Sequence, residues 1–334
     1  MLQTTLAREL GIRLPIFSVG MSWLAGPELA AAVSNAGGCG VVGMAGMTGE
    51  EVRARIRKTR ALTDKPFGVN VILARLQEGQ IEACLDDGVP LIVLFWGDPK
   101  PYVAEAHRQT AKVFLQVGSV AEAKAAVDAG VDGIIAQGVE AGGHVKGTTS
   151  LSTLLPTVVE AVQPVPVIAA GGVANGRGLV AALSLGAQGV SVGTRFLCSE
   201  EAFAARAYKE KIVQSAAEDT VYTELFNIGW DAPHRVLRNR AVIEWQAAGC
   251  PASGERPGDG SVIGTAVRGG AVAELQKYAA NSYPTLGFEG DVEDAVLYAG
   301  ESCSLIDDIK PAAEIVRDFE REAEAIARSL RDAR

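Results

Sequence analysis

The chain has 334 residues, 48% of them hydrophobic, with 38 glycines and a formal net charge of −9. That length can bury a substantial core without disulfide or metal staples, and the acidic balance argues against a nucleic-acid or anionic-membrane surface. Five scattered cysteines, Cys39, Cys84, Cys198, Cys250 and Cys303, form no CxxC or Cys/His cluster, so neither a zinc site nor a disulfide framework is expected.

The opening stretch, MLQTTLARELGIRLPIF, lacks the apolar centre of a secretory signal. No apolar run approaches the ~20 residues of a membrane span, and a soluble, cytoplasmic protein is expected. Short apolar runs then alternate with helix-like segments. The runs are 14–19, 39–43, 66–71, 90–95, 112–117, 132–136, 165–170 and 189–193. Most are continuous and β-branched, as parallel strands buried on both faces are. Between them lie segments such as PELAAAVSNAG, EEVRARIRKTRALT, VAEAKAAVDAG and GRGLVAALSLG, several ending at a C-capping glycine. A doubly wound sheet uses the same units, but eight in series within ~200 residues fit a (β/α)8 TIM barrel.

The rhythm stops after GTRFLCSEEA. Residues 203–299 read as a helical lid inserted after strand eight, with a loop, GCPASGERPGDGS, that is mobile or a connection. The closing stretch LIDDIKPAAEIVRDFEREAEAIARSL is amphipathic, with Pro311 near its first turn. It would complete the outer ring, giving a barrel of 1–202 plus 300–334.

In such a barrel chemistry sits at the C-terminal strand ends, and phosphate often lies after strands seven and eight. There the chain reads AAGGVANGRG and VGTRF. Gly171 and Gly172 permit close backbone approach, the next helix start offers N–H groups, and Gly193, Thr194 and Arg195 offer amides and charge. These form a candidate phosphate cradle; the alternative is tight turns with Arg195 paired to a carboxylate. Gly20 and Met21 follow strand one, while Asn70, Gln116 and Gln137 end strands three, five and six. Amides along one rim suit the edge of a heteroaromatic ring. GGCGVVG matches GxGxxG at Gly38, Gly40 and Gly43, but it follows a helix and opens a strand, the reverse of a dinucleotide site.

FGVN, VEAGGHVKG, VPVIAAGGVANGRGLVAALSLGAQGVSVGTRF and SLIDDIKPAAEIV resemble the nitronate monooxygenase family, formerly 2-nitropropane dioxygenases, and the related flavin-dependent enoyl-ACP reductases. The resemblance covers nearly the whole chain and is weakest between ~200 and ~300. It implies FMN in the barrel mouth. Gly20, Met21 and Asn70 would touch the isoalloxazine, Gln137 the ribityl chain or ring, and Gly142 and Gly143 would line the flavin. Gly171, Gly172, Gly193 and Thr194 would hold the phosphate, and His144 matches the active-site histidine, with a pKa near neutrality suited to proton transfer. His107 and His234 read as structural or surface residues. Where many relatives have QGGM this chain has SVGM, placing Ser18 and Val19 beside the flavin, and Arg238 and Asn239 would support the lid.

The activity so implied is oxidation of an alkyl nitronate by O2 to a carbonyl compound and nitrite, with no metal and with homodimerisation expected from the architecture. The second is an NAD(P)H-dependent reductase of an enoyl thioester or quinone; a third is a barrel binding a phosphorylated metabolite.

Overall fold

A computed structural model describes residues 2–332. In chain order it begins with α1 (Thr5–Glu9), β1 (Ile16–Ser18), α2 (Pro27–Asn35), β2 (Gly40–Gly43), α3 (Gly49–Leu62), β3 (Phe67–Ile72) and α4 (Gln80–Asp86). There follow β4 (Leu91–Phe95), α5 (Lys100–Arg108), β5 (Lys112–Val117), α6 (Val120–Asp128), β6 (Gly133–Gln137), β7 (Gly143–His144) and α7 (Leu151–Val162). Then come β8 (Val167–Ala170), α8 (Gly176–Ser184), β9 (Gly189–Val192) and α9 (Thr194–Leu197).

All eight expected strands are present and parallel, in the order β1-β9-β8-β6-β5-β4-β3-β2. A parallel bridge between Phe17 and Cys39 joins the two ends, so the sheet closes into a barrel. Continuous apolar runs are needed because both faces of each strand are buried. Leu91, Val93, Phe114, Ile135 and Ile168 fill the interior, which Leu6, Ala7 and Ile12 also join. The alternate residues Ile92, Leu94, Val113 and Leu115 pack outward beneath the helices.

The helices start where polar caps place them. Thr48 and Glu51 form a capping box at α3, and Ser119 accepts from Glu122 N at α6. The last helix, α12 (Ala312–Asp332), begins just after Pro311 and buries Ala312, Ile315, Val316, Phe319 and Ala323, a stripe at helical spacing. It packs on α8 and α2, completing the ring as expected. Gly176 is required there: a Cβ would lie 2.6 Å from Phe319 O and Ala323 N.

The stretch after α9 holds α10 (Arg206–Val213), β10 (Thr220–Thr223), β11 (His234–Leu237), α11 (Arg240–Ala247), β12 (Val262–Arg268), β13 (Ala271–Gln276) and β14 (Glu289–Gly290), before α12 (Ala312–Asp332). The expected helical lid is therefore corrected to a mixed one. It has two α-helices and two small sheets, β10-β11-β7 and β13-β12-β14. The missed signal is an alternating Val-rich segment broken by Gly269–Gly270. Both glycines have positive φ, 59° and 83°, as a two-residue hairpin turn demands. We propose 203–299 as the inserted unit, because the chain leaves the barrel after α9 and α12 is the next barrel helix.

The Gly/Pro/Ser-rich loop is a connection pinned to the protein. Within it Arg256 is buried, donates to Leu225 O (2.6 Å) and Asn227 Oδ1 (2.9 Å), and pairs with Asp259. Asn239 caps α11 and donates to Ala295 O at 2.7 Å, so it ties the insertion together. Among the described residues no helix is long and apolar enough to cross a membrane.

Candidate active site

A cavity of about 510 Å³ opens at the C-terminal mouth of the barrel, within the usual range for small-molecule sites. Of the residues named from the sequence, Gly20, Met21, Asn70, Gln116, Gln137, Gly142, Gly143, His144, Gly171, Gly172, Gly193 and Thr194 line it, whereas Arg195 and Ser18 do not.

At one end, the turns after β8 and β9 lie side by side. Gly171 and Gly172 have φ of +101° and +68°, which side chains strain to adopt. The amides of Gly171, Gly172, Gly193 and Thr194 donate no hydrogen bond among the described residues, and four such donors at one spot suit an anion. The Thr194 hydroxyl accepts from Gly300 N at 3.0 Å, which leaves its O–H to donate.

Two expectations at this end are corrected. The start of α8 offers no free amides: Asn175 Oδ1 accepts from Arg177 N and Gly178 N, and Glu322 accepts from Gly176 N. Arg195 is buried and does not line the cavity. Its Nη2 lies 2.9 Å from Asp308 Oδ1, so the carboxylate-pair alternative holds.

Along the rim, Asn70 donates from Nδ2 to Val93 O at 3.1 Å, which leaves Oδ1 as an acceptor. Gly20 exists for this residue: a Cβ would lie 2.3 Å from Asn70 Cβ. Gln137 donates from Nε2 to His144 O at 3.0 Å, and its Oε1 is buried without a partner. Gln116 lines the cavity beside them. Ser18 does not face this space. It is buried in β1 and accepts from Val41 N, whereas Val19 stands on the cavity wall.

His144 lies on β7, which pairs antiparallel with β11 so that His144 faces His234. Its imidazole stacks on Trp230, centroids 3.8 Å apart and planes 27° apart, with Tyr298 at 5.3 Å. Nε2 is buried and has no partner. Burial, reinforced by His234 and Arg75, holds its pKa well below 6.5. The expected near-neutral titration is therefore corrected: the ring is neutral at pH 7.

Both preceding glycines line the cavity, and Gly142 has a packing reason besides. At Gly142 a Cβ would strike Gly300 N at 2.3 Å and Ala299 C at 2.5 Å, so backbone packing excludes a side chain. Gly143 has φ +75° and open space around the missing Cβ.

His234 is structural. Its Nε2 accepts from Phe226 N at 3.2 Å and its Nδ1 donates to Ala232 O at 2.9 Å. His107 meets Asp132 on the surface. Of the glycines in the GxGxxG match, Gly40 and Gly43 serve packing against Ala30 and Ser22. The cysteines are free, and among the described residues no group of three or more His, Cys, Asp or Glu could hold a metal.

Sequence reasoning missed Arg75, Trp230, Arg268, Tyr283 and Tyr298, which also line the cavity. Arg75 alone lay near a strand end that was being read. The others come from the insertion, where no periodic signal says which side chains turn inward.

The nitronate monooxygenase family profile matches residues 3–322. A hydroxy-methyl-oxo-octahydro-indene-carboxyl-CoA dehydrogenase of Mycobacterium tuberculosis is 34% identical, with 95% of each chain covered. A nitronate monooxygenase of Pseudomonas aeruginosa is 33% identical, over 94% of this chain and 97% of that one. Among solved structures, FabK from Thermotoga maritima is similar with TM-score 0.80 at 33% identity, over 100% of each chain.

Proposed function

The chain belongs to the nitronate monooxygenase family, and from that premise we propose that this oxidoreductase is an FMN-dependent enzyme that oxidises alkyl nitronates with O2. The carrying observation is a neutral imidazole with a bare Nε2 in a cavity whose far end gathers four undonated amides. The residues fit FMN. The amides of Gly171, Gly172, Gly193 and Thr194 would hold its phosphate, and Asn70 Oδ1, Gln116 and Gln137 offer polar contacts to its ring and chain. When bound, FMN supplies the electron transfer and the reaction with O2.

The protein contributes position and proton handling. Neutral His144 with Nε2 unprotonated can accept the α-proton of a nitroalkane there, and in the other tautomer Nε2–H can donate to the oxygen of a nitronate already formed. Trp230 stacks on one face of the imidazole, which fixes the ring plane in which Nε2 points. Aromatic enclosure by Trp230 and Tyr298 limits water around the reacting atoms.

The test is purified, FMN-loaded protein given a propyl nitronate in air. Nitrite and a carbonyl product should appear as O2 is consumed, and absence of nitrite with the flavin bound would refute the reading. A second reading, an acyl-thioester oxidoreductase, draws support from the CoA dehydrogenase relative at similar identity. Rapid anaerobic bleaching by NAD(P)H, with none by nitronate, would select a reductase.

A further inference from the structure

The substrate of the proposed reaction is an anion, yet the imidazole in the cavity is neutral, so its counter-charge must come from another side chain. Several neutral donors are committed, Asn70 to Val93 O, Gln137 to His144 O, Tyr283 to Ser22 Oγ and Tyr298 to Ala280 O, and the amide of Gln116 carries no charge. Two guanidiniums line the cavity. Arg268 makes no ion pair among the described residues and its Nε is buried without a partner, but Nη2 donates to Asn281 O (2.6 Å) and Tyr283 O (3.1 Å) and its Cζ lies 4.4 Å over the Tyr283 ring, which fixes it against the wall.

Arg75 is different. It follows β3 at the rim, donates one hydrogen bond from Nη1 to Gly229 O, and lies 5.9 Å from the centroid of Trp230, the ring stacked on His144. It makes no ion pair among the described residues. Four buried cations of this acidic chain are paired, Arg195 with Asp308, Arg235 with Glu301, Arg256 with Asp259 and Lys277 with Glu244. Buried Lys209 is held by the Ser199 and Glu200 carbonyls, while Arg55 donates to Gly43 O and lies over the Trp23 ring. Arg75 is half-exposed at the cavity rim with a single carbonyl partner, so its fork keeps donors for an anion that arrives with the ligand.

We propose that Arg75 is the anion-binding residue of this site, its guanidinium taking a planar two-oxygen group, nitronate or carboxylate, in place of the Gly229 carbonyl. Resting on the nitronate reading, this assignment makes Arg75 the determinant of preference for charged over neutral substrates. The planar fork matches two oxygens bidentately, which an ammonium cannot do.

The test uses the FMN-loaded enzyme with Arg75→Met and Arg75→Lys. Arg75→Met should raise the KM of a propyl nitronate at least tenfold more than that of neutral nitropropane, and remove the rise of nitronate KM with ionic strength. Arg75→Lys should restore the salt dependence and part of the affinity. Nitrate titrated into the loaded protein, followed by the flavin absorbance, scores anion binding without turnover; Arg75→Met should weaken it tenfold. If the wild type fails to oxidise nitronate but Arg75→Met still weakens nitrate, the functional reading falls and the assignment stands. Equal nitrate and nitronate affinities within twofold overturn it, and so does an equal loss for both substrates with an altered flavin spectrum, which marks a purely structural role through Gly229.

Discussion

Buried His234 should make the stability of this protein fall in mild acid by an amount that can be assigned to one side chain. Its two ring nitrogens are fully used by the neutral tautomer, Nδ1–H donating to Ala232 O and Nε2 accepting from Phe226 N–H. Burial lowers its pKa to about 4, against the opposing effect of the Ala232 carbonyl. Above pH 6.5 the ring is neutral in both folded and unfolded chains. As the pH falls from 6.5 toward 4, the unfolded chain gains a proton that the folded one refuses, so stability present at neutral pH is lost. With 6.5 and 4 as the two values, the loss is about 2 kcal/mol at pH 5 and about 3 kcal/mol below pH 4. Urea unfolding at pH 7.5 and pH 5.0 of wild type and His234→Gln measures it. Glutamine can still accept from Phe226 N–H but does not titrate, so its loss between the two pH values should be smaller by about 2 kcal/mol. The carboxylates titrate in both proteins and cancel, and because His234 also depresses the His144 pKa, both are compared in a His144→Gln background. An identical loss in both would refute the reasoning.

Gly142→Ala should destabilise the fold by about 1–3 kcal/mol and shift β7, because its Cβ meets backbone rather than a movable side chain. Gly143→Ala should cost about 1–2 kcal/mol from positive φ alone; thermal melts that rank them in the reverse order contradict this packing. His144→Gln should lower kcat/KM for neutral nitroalkane by roughly 10²–10⁴ and spare the preformed nitronate more, and equal losses would remove His144 as the base. Trp230→Leu should expose His144 and raise the acidic limb of the pH–rate profile toward 6.5, since burial is the largest cause of its depressed pKa. A limb that stays put would show that the indole does not control it.

The barrel was legible because each strand carries its own local signal. Continuous runs such as PLIVLF are written where both faces must be buried, and glycines such as Gly171 mark positive φ in the turn that follows. That same logic located the cavity rim. It failed where a residue's role depends on a partner distant in sequence. Gly142 answers to Gly300, Arg195 to Asp308, and the free start expected at α8 is closed by Asn175 and, across 146 positions, by Glu322. The pKa of His144 escaped for the same reason, since Trp230 and His234 come from a segment whose short strands lacked helical periodicity. The hairpin around Gly269–Gly270 did carry a readable alternation, and its omission made the insertion look more helical than it is.

Strand β7 is only two residues long, yet its partner is β11 rather than a barrel strand. The His144 ring thus takes its backbone pairing from the insertion while barrel residue Gln137 holds its carbonyl. Any change in the insertion that shifts β11 would therefore move this ring and the cavity wall together.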